Sequence, residues 1–266
     1  WWAWAARQER AFADAYRMIG ILPPTIEPRA TGHTAEMLAF IDRLIKRGHA
    51  YRAGDDERDV YFDVSSWPDY GSLTSQETGT LPGDEHADQA TGKRDPRDFA
   101  LWKSVPSDVA VGEASAAGAA WDSPYGPGRP GWHLSCSTMI LRYLGESFDI
   151  HGGGLDLRFP HHENEQAQSR AAGYGFARYW MHNAWVTMAG EKMSKSLGNT
   201  ADVTAAVTTY GGRAVRLWLA GPHYRSAIEL SEAALAEAAA QLARIDSFVD
   251  RAASVLGAPT GAADLP

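Results

Sequence analysis

Phe148-Asp149-Ile150-His151-Gly152-Gly153-Gly154-Leu155-Asp156-Leu157-Arg158-Phe159-Pro160-His161-His162-Glu163-Asn164-Glu165 is the stretch on which the reading of this chain turns. A short strand, Phe148 to His151, runs into three glycines, where a backbone without Cβ atoms lets a ligand come close. Pro160 then opens a helix reaching about Ala172; proline suits a first helical turn, and the acidic residues behind it suit the positive end of the helix dipole. Outward from this unit the same alternation continues. A helix spans about His133 to Leu144 on one side. A strand near Trp180 to Thr187 and helices Ala201–Tyr210 and Gly212–Ala220 follow on the other. Alternating strand and helix predict an α/β fold with a parallel sheet wound on both faces.

The flanks are organised differently. Trp1-Trp2-Ala3-Trp4 runs into an Ala-rich helical pattern with no cap, which implies sequence upstream, and Leu22-Pro23-Pro24 stops that helix. A second helix is predicted over Thr34–Gly48, with Met37, Leu38, Ile41, Leu44 and Ile45 at helical spacing. Asp59–Val64 reads as a strand leading into a polar surface excursion, Ser65–Arg97. Phe99–Lys103 is a further short strand, and Gly112–Ala120 is a small-residue linker. The prolines and glycines between Trp121 and Trp132 stiffen the backbone that presents Trp132 to a pocket. A long Ala-rich helix from Ser231 to about Ala253 begins a helical region, and Gly257–Pro266 is expected to be disordered. There is no internal repeat.

Bulk properties bound the rest. The 266 residues, 44% hydrophobic and 22% charged, belong to a soluble globular chain with ample core. No run approaches the roughly 18 apolar residues of a membrane span, and no cationic-plus-apolar leader opens the sequence. Cys136 is the single cysteine, which excludes an internal disulfide and suits a reducing, cytoplasmic setting. A net charge of -8 argues against a protein that coats nucleic acid without specificity, yet allows a local basic strip for RNA.

Two clusters carry chemistry. In Lys192-Met193-Ser194-Lys195-Ser196 two lysines stand three apart among small residues after a strand and an Ala189-Gly190 turn. Such a loop can close on a triphosphate and neutralise a departing pyrophosphate; the competing reading is a solvated turn. In the second cluster His161 and Glu165 lie four apart on one helix face, close enough to share an ion. His162 has Gln166, a poor ligand, at that offset. With Cys136 the pair makes a sulfur–imidazole–carboxylate set of the zinc type, although adjacent histidines at a helix start also serve as plain solvated caps. His151 and Asp156 flank the glycine loop; a structural histidine and a turn-forming aspartate are the alternatives there.

Read together, EPRATGH (Glu27–His33), GRPGWHLSC (Gly128–Cys136), the opening stretch Phe148–Glu165, YWMHNAWV (Tyr179–Val186), GEKMSKSLGN (Gly190–Asn199) and HYRS (His223–Ser226) strongly resemble the cysteinyl-tRNA synthetases, class I aminoacyl-tRNA synthetases, most of all those of high-GC bacteria. The likeness runs from near Trp1 to about Ala253. It implies a Rossmann-like parallel sheet, second half, with an inserted connective segment and a following α-helical region. By segment, 1–58 is the helical part of the connective and catalytic region and 59–120 the connective insertion. Residues 121–200 are the second Rossmann half with its zinc site and lysine loop, 201–256 a region contacting the tRNA stem, and 257–266 a tail.

The resemblance also implies roles. Cys136, His161 and Glu165 match zinc ligands, one Zn2+ per chain, which would receive the substrate thiolate and so refuse serine. Trp132 and His151 match walls of the amino-acid pocket, and Asp156 the group holding the substrate ammonium. Lys195 matches the lysine on the phosphates of ATP, taken with Mg2+, and Lys192 stands beside it; Met181–Val186 would lie against adenine. The implied activity is cysteine–tRNA ligation by a cytoplasmic monomer, with tRNA(Cys), cysteine and ATP as partners and no membrane. The family's HIGH motif and its remaining zinc cysteine do not occur in this sequence, so the 266 residues alone are expected to form adenylate poorly. Robust pyrophosphate exchange by them would refute that. Ser135 stands where glutamate is usual and Thr138 where alanine is usual, swaps that could retune the surroundings of the metal. Three rivals remain: a mycothiol-pathway ligase, disfavoured by Asn164-Glu165; a non-catalytic zinc- and cysteine-binding paralogue, disfavoured by the intact lysine loop; and a metallohydrolase on His161 and Glu165, which lacks a convincing general base.

Overall fold

The computed structural model describes residues 1–54, 56–74, 92–105, 114–115, 118–193 and 202–257. It divides into two compact units, Ile26–His182 and Trp1–Thr25 with Asn183–Pro266.

In the first unit α2 (Thr34–Lys46) is amphipathic and sends Met37, Phe40, Ile41 and Leu44 into the core; α1 (Trp2–Met18) belongs to the other unit. Four strands, β1 (Ala50–Ala53), β2 (Asp59–Phe62), β3 (Phe99–Ser104) and, after a small β4–β5 hairpin (Ala114–Ser115 with Gly118–Ala119), β6 (Gly128–Pro130), form an antiparallel sheet in the order β1-β2-β3-β6. All four β2 residues are buried. Val60 and Phe62 meet the α2 side chains, and Tyr61 packs with Tyr51 and Ala53 on the other face. Asp59 is tolerated there because Lys103 Nζ donates to it at 2.5 Å and the Ser104 amide at 2.8 Å.

Gly131 joins this sheet to the helix that carries Cys136. Its amide donates to Leu101 O at 2.9 Å, and a Cβ at this position would overlap the Ala100 carbonyl. Only glycine lets α3 (Trp132–Leu144) leave β6 this close to β3. Strand β7 (Phe148–Gly154) runs on through all three glycines, longer than its side chains suggest, and pairs with β8 (Ala177–Asn183). Phe148, Phe176 and Ala177 bury each other beneath this pair, with Ile140 and Trp180 against them. The helix expected from Pro160 begins otherwise. A 3-10 turn (Leu155–Leu157) and a π-type turn (Arg158–His162) precede α4 (Glu163–Ala171), with Phe159 extended at φ -140 and ψ 136. Proline forces its predecessor out of the helical region, so the regular helix starts only past the histidines.

In the second unit the strand expected at 180–187 gives way after β8 to a separate β9 (Val186–Met188), which pairs antiparallel with β10 (Glu191–Lys192) and parallel with β11 (Ile228–Glu229). Helices α1 (Trp2–Met18), α5 (Val203–Tyr210), α6 (Gly212–Ala220) and α7 (Glu232–Leu256) complete it. Asp202 and Ser231 cap α5 and α7, accepting from Thr204 N at 2.8 Å and Ala234 N at 3.1 Å. Ile19, Val215 and Leu235 form its core with Tyr210, Trp218 and Leu219 around them.

The fold is therefore mixed α/β, as the alternation predicts. The antiparallel sheet arises from the Ala50–Pro130 excursion, and β9 with β11 forms a parallel pair, Ile228 opposite Val186 and Glu229 opposite Thr187. Among the described residues no helix is long and apolar enough to cross a membrane.

Candidate metal centre and substrate site

Helix α3 brings Cys136 to the start of α4, and ligand atoms of Cys136, His161 and Glu165 all lie within 4.8 Å of one another. His161 Nε2 is 2.5 Å from Glu165 Oε1, the i,i+4 pairing that the sequence spacing predicts. A second group, His151, His162 and Glu165, meets the same distance criterion, with His151 Nε2 2.9 Å from Glu165 Oε2. The sequence comparison of His162 with Gln166 overlooks this group. On a helix the i,i+3 offset to Glu165 also brings neighbours together, and β7 supplies His151 from outside the helix.

Burial sets the electrostatics. Glu165 is 1% exposed. Its desolvation pushes the carboxyl up, but the imidazoles of His151 and His161 facing it outweigh that and hold it down at about 2. Burial, followed by the charge of Glu165, pushes the Cys136 thiol up to about 12. His162 is held at about 4, chiefly by desolvation. His182, whose Nε2 lies 2.9 Å from His162 Nδ1, is lowered by desolvation and then by Arg158 and His151.

The donor set fits a divalent cation. A soft sulfur, an imidazole nitrogen and an ionised carboxylate converge, His161 and Glu165 buried and Cys136 partly so. Glu165 Oε2 is buried without an aligned hydrogen bond despite the nearby His151 nitrogen. A cation among these atoms would satisfy that oxygen and favour the thiolate over the thiol.

Around this cluster the packing is mostly polar. His161 Nδ1 lies 2.9 Å from His133 Nδ1, and Trp132 stacks on the His161 ring with centroids 4.4 Å apart. Gln168 donates to His133 O and to Ser137 Oγ, both at 2.7 Å. Glu163 accepts from the amides of Gly71 and Leu73 at 2.9 and 3.0 Å, and Tyr70 OH donates to Asn164 at 2.5 Å. Helix α4 is thus buried with a polar surface because its neighbours offer partners to most of its side chains, while Asn164 Nδ2, Glu165 Oε2 and Gln168 Oε1 are left without one. His133, Gln168 and Ser137 were missed from sequence, where buried polar residues on an amphipathic pattern look like exposed ones.

The other expected site residues are placed as follows. Trp132 is 49% exposed at the start of α3. His151 is half-buried, edge-on to His162 and to Trp180 with centroids 4.4 and 4.9 Å apart. Asp156 is exposed on the turn after the glycines. Lys192 lies on β10, and its side chain, like all of Lys195, falls outside the described residues. Ser135 Oγ donates to Trp132 O at 2.9 Å and Thr138 Oγ1 to Leu134 O at 2.8 Å, and the Ser135 hydroxyl also hydrogen-bonds the Cys136 thiol, which partly offsets its upward shift.

Comparison with known proteins follows this geometry. The family model for the catalytic domain of class I (C) tRNA synthetases matches residues 1–240. The cysteine–tRNA ligase of Nocardioides sp. is 57% identical over 257 residues, 97% of this chain and 53% of that protein. The cysteine–tRNA ligase of Cutibacterium acnes is 57% identical over 263 residues, 97% of this chain and 52% of its own. The chain spans about half the length of the curated relatives it matches. Among solved structures, Mycobacterium tuberculosis methionyl-tRNA synthetase in complex with methionyl-adenylate superposes with a TM-score of 0.62 at 17% identity, over 88% of this chain and 55% of that one. At that identity the likeness concerns the fold.

Proposed function

Since the chain belongs to the catalytic-domain family of class I (C) tRNA synthetases, we propose that it is part of a cysteine–tRNA ligase, which activates cysteine with ATP and passes the cysteinyl group to tRNA(Cys). The observation that carries this reading is the convergence of Cys136, His161 and Glu165 within 4.8 Å in a largely buried site, in a chain 57% identical to such ligases.

In this reading Cys136, His161 and Glu165 hold zinc. The metal, when bound, supplies a Lewis acid that prefers a substrate thiolate to a hydroxyl, and so separates cysteine from serine without editing. The remaining work belongs to side chains. Trp132 and His151 wall the amino-acid pocket, and the Asp156 carboxylate at the end of the glycine strand takes the substrate ammonium. That leaves the substrate carboxylate to attack the α-phosphate of ATP in line, breaking its bond to pyrophosphate. Lys195, with Lys192 beside it, neutralises the charge that grows on the departing pyrophosphate, and Mg2+ accompanies the ATP. Most of the acceleration would come from holding the two reactants in line. The strand residues 181–186 lie against adenine, and 201–256 faces the tRNA stem.

The test is metal analysis and amino-acid-dependent pyrophosphate exchange on the full-length protein that carries this chain. About one zinc per chain is expected, with exchange driven by cysteine and not by serine. Cys136→Ala should lose both the zinc and the exchange. A zinc-free wild type, or equal exchange with serine, would sink the proposal. AMP release with a glucosaminyl inositol acceptor in place of tRNA would redirect it to the mycothiol-type ligases.

A further inference from the structure

The hairpin that leads into the lysine loop is held by a residue from another part of its unit. Strands β9 and β10 are joined by the two-residue turn Ala189–Gly190, with φ values of 54 and 80. Two consecutive left-handed residues are the geometry of a tight hairpin turn. Glycine adopts it freely, but alanine does so against its Cβ. Asparagine or aspartate would be the unstrained choice in front of the glycine. Something outside the turn must therefore favour it.

Glu229 supplies that. Parallel pairing sets Glu229 beside Thr187, and Thr187 Oγ1 donates to Glu229 Oε2 at 2.6 Å. The same oxygen accepts from the Gly190 amide at 3.4 Å. The carboxylate thus ties the turn to the strand leading into it. Backbone bonds continue the arrangement on both sides, from Leu230 N to Thr187 O at 2.8 Å and from Met193 N to Val186 O at 3.4 Å. The last places Met193 in register with β9, so the geometry of the turn is passed along the backbone to Lys192 and Met193.

We infer that Glu229 is a positioning residue for ATP use: it fixes the strained Ala189–Gly190 turn and with it the direction in which the backbone of Lys192 enters the lysine loop. A backbone kept in a disfavoured conformation by an added side chain is a usual mark of a functional position. The inference rests on the proposed reading of the loop as the contact to ATP phosphates. The Glu229 carboxylate is exposed and leaves Thr187 and Gly190 with water as a substitute, so its removal should loosen the turn rather than unfold the unit.

The test uses cysteine-dependent pyrophosphate exchange by the full-length protein, with Glu229→Ala, Glu229→Gln and Lys195→Ala. Glu229→Ala should impair kcat/KM for ATP roughly tenfold, the scale of a small misplacement of a reacting group. KM for cysteine and zinc content should stay within about twofold of wild type, since neither reads the hairpin. Glu229→Gln keeps a carbonyl oxygen for Thr187 and Gly190 and should restore most of the loss. Hydrogen exchange at the Gly190 and Lys192 amides should speed up in the alanine variant and not in the glutamine one. Normal ATP kinetics in Glu229→Ala, with Lys195→Ala impaired, would overturn this inference alone. Normal kinetics in Lys195→Ala would overturn it together with the reading of the loop. A glutamine variant as damaged as the alanine one, or equal losses for cysteine and ATP, would show that Glu229 acts through general stability and overturn it too.

Discussion

Gly152, Gly153 and Gly154 look alike in sequence, yet the structure assigns them different tolerances to a methyl group. A Cβ on Gly153 would sit 2.8 Å from His162 Cε1 and 3.1 Å from both His162 Nε2 and Leu157 Cδ1. Carbon atoms in contact prefer about 3.5–4.0 Å, so the ring would have to retreat by roughly 0.7 Å or more. It has little room: His162 is 2% exposed, bonded to His182 at 2.9 Å, with His151 and Trp180 packed on it. Overpacking of this kind destabilises by about 1–3 kcal/mol, which for a unit of this size lowers the melting temperature by roughly 2–12 °C. A methyl on Gly152 meets only Met181 O at an ordinary 3.7 Å, and Gly152→Ala should stay within about 0.5 kcal/mol of wild type. Gly154→Ala presses on the Asp156 carboxylate, an exposed side-chain end rather than main chain or a buried ring. Its stability should change little, while KM for cysteine rises. Thermal unfolding and cysteine titration of the three variants check the ranking. Gly153→Ala melting within about 1 °C of wild type, or no more sensitive than Gly152→Ala, would refute the account of His162 as a locked ring.

Three further outcomes are expected. Gly131→Ala should destabilise by at least about 2–3 kcal/mol, because its methyl meets main chain at Ala100 rather than a movable side chain; denaturant titration reads this, and a neutral result would mean that α3 and β3 can separate. Asp59→Ala should destabilise by about 3–5 kcal/mol by stranding Lys103, whose side chain is only 20% exposed, and Lys103→Met in the same background should recover part of the loss. Burial pushes the Asp59 carboxyl up, but Lys103 and Ser104 more than offset it and leave it below its ordinary 3.8. A depressed carboxyl stabilises the fold above its unfolded value and loses that contribution as pH falls through the folded one. The urea midpoint should therefore drop more steeply below about pH 4 in wild type than in Asp59→Asn, and parallel curves would contradict this.

Much of the site was legible in the residues themselves. His161 and Glu165 stand four apart, a spacing that brings them together although the regular helix starts only at Glu163, and the run from Phe148 through the glycines declares a strand and a close approach before a helix starts. These are local properties, fixed by backbone periodicity and by what glycine and proline permit. Tertiary structure decided the rest. Cys136 reaches His161 only because Gly131 lets α3 leave the sheet against Ala100. His151 reaches Glu165 only because the turns after β7 bring α4 back against it, creating the second imidazole group. The polar flank of α4 is buried because Tyr70, Gly71, Leu73 and His133 come to it from distant parts of the chain. The sequence by itself determined which atoms could bind, since donor chemistry resides in single side chains. Which of them meet depended on long-range packing, because a buried polar group is tolerated only where partners from elsewhere complete its hydrogen bonds.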